Sequence, residues 1–101
     1  PYEVRDDRRS SWHLYPLKVN TGRSAVSRDR LIDDLKSRGV MTSVHFIPLY
    51  RFSYYRNLFP GSESFPVCES VFERVLSLPL FVGMRDEEQR YVIDAVKDIC
   101  R

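Results

Sequence analysis

The strongest pattern in the sequence is an apolar stripe near the C-terminal end, whose spacing predicts an amphipathic helix. Its apolar residues recur at intervals of three or four positions: Val92, Ile93, Val96 and Ile99. Asp86 followed by Gln89 predicts a capping box where this helix begins. A helix with one apolar face needs a second layer to cover that face. Because 101 residues have room for one core only, the sequence predicts that this layer belongs to the same small domain.

Two further segments are predicted to supply that layer. Residues 12–19 read W-H-L-Y-P-L-K-V and favour a strand, which Pro16 restricts to a sheet edge or a bulge. Ser27 then caps a predicted helix that Gly39 ends. The apolar face of this helix consists of Leu31, Ile32 and Leu35.

The middle of the chain is predicted to hold a second strand and an aromatic loop. Residues 40–47 are β-branched and aromatic, and Pro48 ends their capacity to pair. Residues 49–61 carry many aromatic side chains without a firm period, so we expect a loop with one helical turn near residues 53–58.

The remaining segments complete an α+β domain. Residues 65–76 have a helical period, and residues 78–80 predict a short edge strand because Pro79 cannot donate to a ladder. We therefore expect a small three-stranded, mainly antiparallel sheet with helices packed on it. Residues 1–10 are mostly charged and predict a linker or disordered end, which leaves 11–101 as the domain.

Composition narrows the classes of function. Sixteen basic and fourteen acidic residues leave a net charge of +2, which does not favour nucleic-acid binding. No apolar run approaches a membrane span, and no signal peptide is evident. Cys68 and Cys100 lack metal-ligand spacing, and one pair is too few for a disulfide framework, so a reduced, cytoplasmic setting is expected. Since the chain begins at Pro1, we expect a processed start or a piece of a longer protein.

A few polar and aromatic residues are candidates for a site, although none forms a catalytic set. His45 ends a predicted strand and is either a functional group in a cleft or a structural histidine, whereas His13 favours the structural role. The loop combines Arg51 and Arg56 with three hydroxyl-bearing rings, which indicate either ligand or interface contacts or a satellite apolar cluster: Tyr50, Tyr54 and Tyr55. No Ser-His-Asp or Cys-His set and no metal cluster is present in the pattern.

Several motifs, in order along the chain, resemble those of one family. They are W-H-L-Y from residue 12, R-D-x-L-I-x-x-L-K-x-x-G-V from residue 28, S-V-H-F-I-P-L-Y over 43–50, L-S-L-P-L-F-V-G-M over 76–84 and D-E-E-x-x-Y-V-I-D-A-V over 86–96. Together with the Tyr54-Tyr55 pair, they resemble the C-terminal domain of the DegT/DnrJ/EryC1/StrS aminotransferases. The resemblance covers residues 11–99, nearly the whole chain.

The resemblance implies the small domain of a fold-type-I, pyridoxal-phosphate-dependent sugar aminotransferase. Such a domain follows an N-terminal large domain that holds pyridoxal phosphate (PLP) on a lysine, and an amino group passes from glutamate, via the cofactor, to a keto sugar carried on a nucleotide. Lys18, Lys36 and Lys97 do not match the context of the cofactor lysine. The resemblance therefore implies that this chain alone binds no cofactor and is inactive.

The same resemblance implies site residues and partners. His45, Phe46 and Pro48 match the family pattern H-Y/F-x-P-x-H, and Tyr50 stands where histidine is common. We expect no catalytic residue and no metal ligand here, but one wall of an active site at a domain or subunit boundary: His45, Pro48, Tyr50, Tyr54 and Tyr55. The implied partners are the missing large domain, the second subunit of a homodimer and the nucleotide-sugar substrate.

Two alternatives and two structural expectations remain open. The chain could be a free-standing α+β module that binds a ligand or protein through its aromatic loop, or a subdomain whose loop only packs a dimer.

Arg85 replaces the usual Thr or Ser cap, so we expect Asp86 to cap the last helix one residue later. We also expect an exposed apolar surface that makes the chain self-associate.

Overall fold

The computed structural model describes residues 6, 7, 9–60 and 65–101. The predicted linker at 1–10 therefore lies largely outside the described residues, as does the end of the predicted aromatic loop. Strands β1 and β2, helices α1 to α4 and a 3₁₀ turn follow in this chain order: β1 Tyr15–Lys18, α1 Arg28–Ser37, the 3₁₀ turn Leu49–Arg51, α2 Ser53–Leu58, α3 Pro66–Phe72, β2 Val75–Leu78 and α4 Asp86–Ile99.

The two strands form an antiparallel pair in which Tyr15 lies opposite Leu78 and Lys18 opposite Val75. Directly after β1, the backbone N–H of Val19 donates to the carbonyl of Arg74 at 2.9 Å. In the described chain β1 pairs on one side only, which confirms the edge position predicted from its proline.

The prediction of three strands is wrong, because the sheet of the described residues has two. Residues 40–47 meet β2 only in an isolated antiparallel bridge between Ser43 and Ser77. Its two backbone N···O distances are 3.2 and 2.7 Å. The β-branched and aromatic character of this segment predicted a strand, but the segment does not continue a ladder, and Phe46 and Ile47 are exposed. A β-branched and aromatic composition thus indicates apolar side chains, but it does not show that the segment continues a hydrogen-bonded ladder.

The second strand also lies elsewhere than predicted. The predicted helix over 65–76 ends at Phe72, and residues 75–78 form β2 instead of the predicted edge strand at 78–80. Because β2 pairs with β1 on one side and with Ser43 on the other, it is the central strand of the described sheet. Leu76 is fully buried and Ser77 is 6% exposed, as expected for a strand covered on both faces.

The two long helices confirm the predicted periodicity, with one correction at a cap. Ser27 Oγ accepts the N–H of Arg30 at 3.2 Å, as predicted for α1. The predicted box of Asp86 with Gln89 is wrong, and α4 begins at Asp86 itself rather than one residue later. Arg85 has the extended backbone of an N-cap, so the third helical residue is Glu88, and its carboxylate accepts the Arg85 backbone N–H at 2.9 Å.

The core lies between α1, α4 and β2. Its buried members are Val19, Leu31, Leu35, Val40, Leu76, Val92 and Ala95. On α4, Ala95 is buried against the core, whereas the predicted core residue Ile93 is 42% exposed. The contact thus runs along Val92, Ala95, Val96 and Ile99, which lie on one helical face.

Candidate functional site

A mainly apolar groove separates the segment after Ser43 from helix α3. It encloses about 590 Å³, and His45, Phe46 and Pro48 line one side while residues of α3, including Val67 and Val71, line the other. A second groove, of about 540 Å³, lies between residues 39–41 and the start of α4. The first groove is the candidate site because two of the residues predicted from the sequence, His45 and Pro48, meet there.

His45 is held in this groove by the central strand. Its ring nitrogen Nδ1 lies 2.9 Å from the hydroxyl oxygen of Ser77. The same serine exchanges two backbone hydrogen bonds with Ser43, two residues before the histidine. The ring of Phe46 meets the imidazole edge to face at 4.9 Å. Ser77 is not predicted as a site residue from the sequence, although a serine between Leu76 and Leu78 is a signal for a buried polar contact.

Tyr50 lies next to the groove with its hydroxyl buried. The 3₁₀ turn packs its ring against Phe65 at a centroid distance of 4.8 Å, and Phe65 also lines the groove. The hydroxyl oxygen makes no hydrogen bond of regular geometry among the described residues, although the side chains of Cys68 and Glu69 are its polar neighbours. Burial raises the pKa of the Tyr50 hydroxyl well above its usual value, and the neighbouring side chains of Cys68 and Glu69 raise it further.

An ion pair fixes the 3₁₀ turn on α3. The Arg51 guanidinium pairs with the Glu69 carboxylate, and its carbon lies 4.7 Å from the centre of the Phe72 ring. This pairing lowers the pKa of Glu69. Arg28, which the sequence analysis did not single out, anchors the far end of α3. It donates to the carbonyls of Phe72 and Val75, both at 3.2 Å.

The other two predicted site residues lie on a separate surface. Tyr54 and Tyr55 project from α2 and pack edge to face, with ring centroids 5.3 Å apart. They are 67% and 38% exposed, and they line neither groove. The structure therefore brings His45 and Pro48 together, places Tyr50 beside them, and leaves the α2 pair open to contact another molecule.

Neither a candidate metal cluster nor a lysine borders the groove in the described part of the chain. No group of His, Cys, Asp and Glu in this part of the chain could hold a metal ion. The three lysines, Lys18, Lys36 and Lys97, are exposed on β1, α1 and α4, and none lines the groove that His45 borders. Of the helices described, none has the length and apolarity needed to cross a membrane.

Comparison with known proteins assigns the family. The model of the DegT/DnrJ/EryC1/StrS aminotransferase family matches residues 1–97. The spore coat polysaccharide biosynthesis protein SpsC of Bacillus subtilis is 42% identical over 100 residues, which are 97% of this chain and 26% of SpsC.

Solved structures agree in fold. The aminotransferase TlmJ of Streptoalloteichus hindustanus is 28% identical with a TM-score of 0.82, over 97% of this chain and 24% of TlmJ. Spr1654 of Streptococcus pneumoniae, assigned as a sugar aminotransferase and solved in a PLP form, is 33% identical with a TM-score of 0.75, over 87% of this chain and 22% of its own. The chain thus spans about a quarter of the length of these relatives. Because the family model matches nearly every residue, the chain belongs to the DegT/DnrJ/EryC1/StrS aminotransferase family.

Proposed function

We propose that residues 11–101 are the C-terminal small domain of a PLP-dependent nucleotide-sugar aminotransferase. The whole enzyme would transfer an amino group from glutamate to a keto sugar. The observation that carries this proposal is the family match over residues 1–97 in a chain that spans about a quarter of its relatives. The PLP form of Spr1654 and the polysaccharide role in the name of SpsC support the cofactor and the substrate class.

In this proposal the chain contributes one wall of the active site. The groove offers apolar surface for the faces of a sugar or base, and the His45 ring supplies a polar group in that surface. Tyr50 borders it, while Tyr54 and Tyr55 present exposed rings and hydroxyls to the large domain, to the second subunit or to the substrate. The cofactor lysine would belong to the large domain, since this chain's lysines lie away from the groove.

The test compares this chain with the protein encoded together with its upstream reading frame. We expect the chain alone to leave the absorbance spectrum of added PLP unchanged and to show no transamination from glutamate. The longer protein should change the absorbance spectrum of PLP and should catalyse transamination from glutamate. Transamination by the chain alone would contradict the proposal. An upstream frame without a cofactor lysine would favour a free-standing binding module instead.

The wall residues are tested by substitution in the full-length enzyme. We expect His45→Ala and Tyr54→Phe to lower kcat/KM for the nucleotide keto sugar. His13→Ala is the matched control, because His13 is exposed and lines neither groove. If the His45 and Tyr54 variants weaken dimerisation but keep full turnover per dimer, the segment packs the dimer and does not contact substrate.

A further inference from the structure

Ser77 is an exception within the central strand. Among the described residues it is the one buried polar residue, and it lies between the apolar Leu76 and Leu78. Its backbone pairs with Ser43, and its hydroxyl makes one hydrogen bond, to Nδ1 of His45. In the part of the chain that the structure describes, no second partner of this hydroxyl is found. The serine therefore binds both the backbone and the ring of the segment that forms the groove wall.

The direction of the Ser77–His45 hydrogen bond follows from the chemistry of its two partners. A hydroxyl has a single hydrogen to donate, and leaving a buried donor unused costs free energy. Since Nδ1 of His45 is the acceptor within reach, Ser77 donates to it. Nδ1 then carries no proton, and the neutral ring holds its proton on Nε2.

We propose that Ser77 is a positioning residue, which fixes the His45 tautomer so that Nε2–H is a hydrogen-bond donor toward the bound substrate. The inference rests on the proposed function, in which His45 forms part of the active-site wall. Nε2 lies on the side of the ring away from Ser77, and the ring borders the groove. The Phe46 ring packs edge to face against the imidazole. Such a donor suits an oxygen acceptor of a nucleotide sugar, whether a hydroxyl, carbonyl or phosphate oxygen.

The first test reads the tautomer directly and needs no activity. This chain, labelled with nitrogen-15 in its histidines, is measured by NMR at a pH where both imidazoles are neutral. We expect His45 to show a pyridine-like Nδ1 and a pyrrole-like Nε2, whereas the exposed His13 should show averaged shifts. In Ser77→Ala, the His45 shifts should move toward those of His13. A proton on Nδ1, or His45 shifts that Ser77→Ala leaves unchanged, would overturn the inference.

The second test measures turnover in the full-length enzyme. We expect Ser77→Ala to lower kcat/KM for the nucleotide keto sugar by about tenfold, the factor that one neutral hydrogen bond is worth. Ser77→Thr keeps the hydroxyl and should restore most of the loss. Ser43→Ala is the matched control, because Ser43 contributes its backbone to the same bridge and its hydroxyl makes no hydrogen bond in the described chain. Circular dichroism checks that all variants are folded.

A double-mutant cycle separates positioning from a general effect on folding. In a His45→Ala background, Ser77→Ala should cause no further loss of kcat/KM, because Ser77 acts through the ring. Additive losses, or wild-type activity in Ser77→Ala, would overturn the inference and leave the aminotransferase function intact. Conversely, a wild-type enzyme without transamination would refute the proposed function, while the NMR measurement would still decide the tautomer.

Discussion

The Tyr50 hydroxyl is a buried polar group without a well-formed hydrogen bond in the described chain. Folding removes water from it, and it makes no hydrogen bond of regular geometry with the described residues, although Cys68 and Glu69 lie beside it. A group of this kind lowers stability, and such groups are found where the molecule uses them for another purpose. Tyr50 also stands where the family pattern that the sequence resembles often has a histidine, so both residue types place a polar group at this position.

Replacing Tyr50 by Phe should alter the stability of the chain at alkaline pH. Because burial raises the pKa of Tyr50 above the usual value of 10.0, the folded chain favours the neutral phenol. The contribution of this preference to the free energy of unfolding is fully present below pH 10 and is lost as the pH rises toward the folded-state pKa of Tyr50. We expect urea unfolding of the wild type to become easier from about pH 10 upward and Tyr50→Phe to show a smaller change.

The exposed Tyr54 provides the control for this measurement. Tyr54→Phe should keep the alkaline loss of the wild type, because its ring is largely in solvent. Equal pH profiles for Tyr50→Phe and the wild type would show that the phenol is not enclosed in solution. At neutral pH, Tyr50→Phe should unfold at the same or a slightly higher urea concentration, since it removes a hydroxyl without a well-formed hydrogen bond.

The candidate site could be predicted from the sequence only in part, and the reason is visible at single residues. His45 and Pro48 were found because they belong to one short motif, and they do meet in the groove. Ser77 and Arg28 were missed because their partners lie 32 and 44 or more positions away along the chain. A local pattern indicates which side chains are polar, but their pairing depends on how the strand and helix dock.

At the scale of elements, the first turn of α1 depends on the side chain of Ser27. Its hydroxyl satisfies the backbone N–H of Arg30, which the helix itself leaves without a partner. We expect Ser27→Ala to lower the free energy of unfolding by about 1 kcal/mol. Ser27→Asp, which can accept the same hydrogen bond, should retain most of the stability. Urea unfolding measures both, and equal loss in the two variants would argue against a capping role.

The attachment of the 3₁₀ turn to α3 should depend on pH in the acidic range. Arg51 lowers the pKa of Glu69 below its usual 4.5, so the folded chain favours the charged carboxylate. That contribution is present above pH 4.5 and is lost as the pH falls through the lower folded-state value. Glu69→Gln should therefore flatten the acid side of the stability profile, measured by urea unfolding. Glu73→Gln changes an exposed carboxylate one turn later and should leave the acid side of the profile unchanged. Identical profiles for Glu69→Gln and the wild type would contradict the role of the ion pair.

The helices were easier to predict from the sequence than the strands, for a physical reason. A helix with one buried face repeats its apolar residues over several turns, so α1 and α4 could be placed from Leu31, Leu35 and Val92 with their neighbours. A strand of four residues has too few positions to show a period. The buried run at Val75–Leu78 therefore merged with the preceding helix in the prediction, and residues 40–47 were predicted as a strand although they pair at a single residue.

For the whole molecule, the distribution of apolar surface agrees with a domain that packs against more protein. Large apolar side chains are exposed around both grooves and on α2, among them Met41, Phe46, Leu49, Phe59, Phe81 and Val82. A small monomeric domain seldom leaves so many in contact with water. Since the chain spans about a quarter of its relatives, this surface is where the proposed large domain and second subunit would bind.

Exposed apolar surface also predicts the behaviour of the isolated chain. Without covering protein, the same side chains should drive self-association, because burying them against another copy removes apolar area from water. Light scattering should show an apparent mass that rises with concentration above the 12.0 kDa of one chain. Phe81→Ser with Val82→Asp should reduce that rise, while Ser53→Asp, on a surface turn of α2, is a control for added charge alone. A constant monomer mass at high concentration would contradict the prediction, and it would mean that the exposed side chains are too dispersed to form a contact.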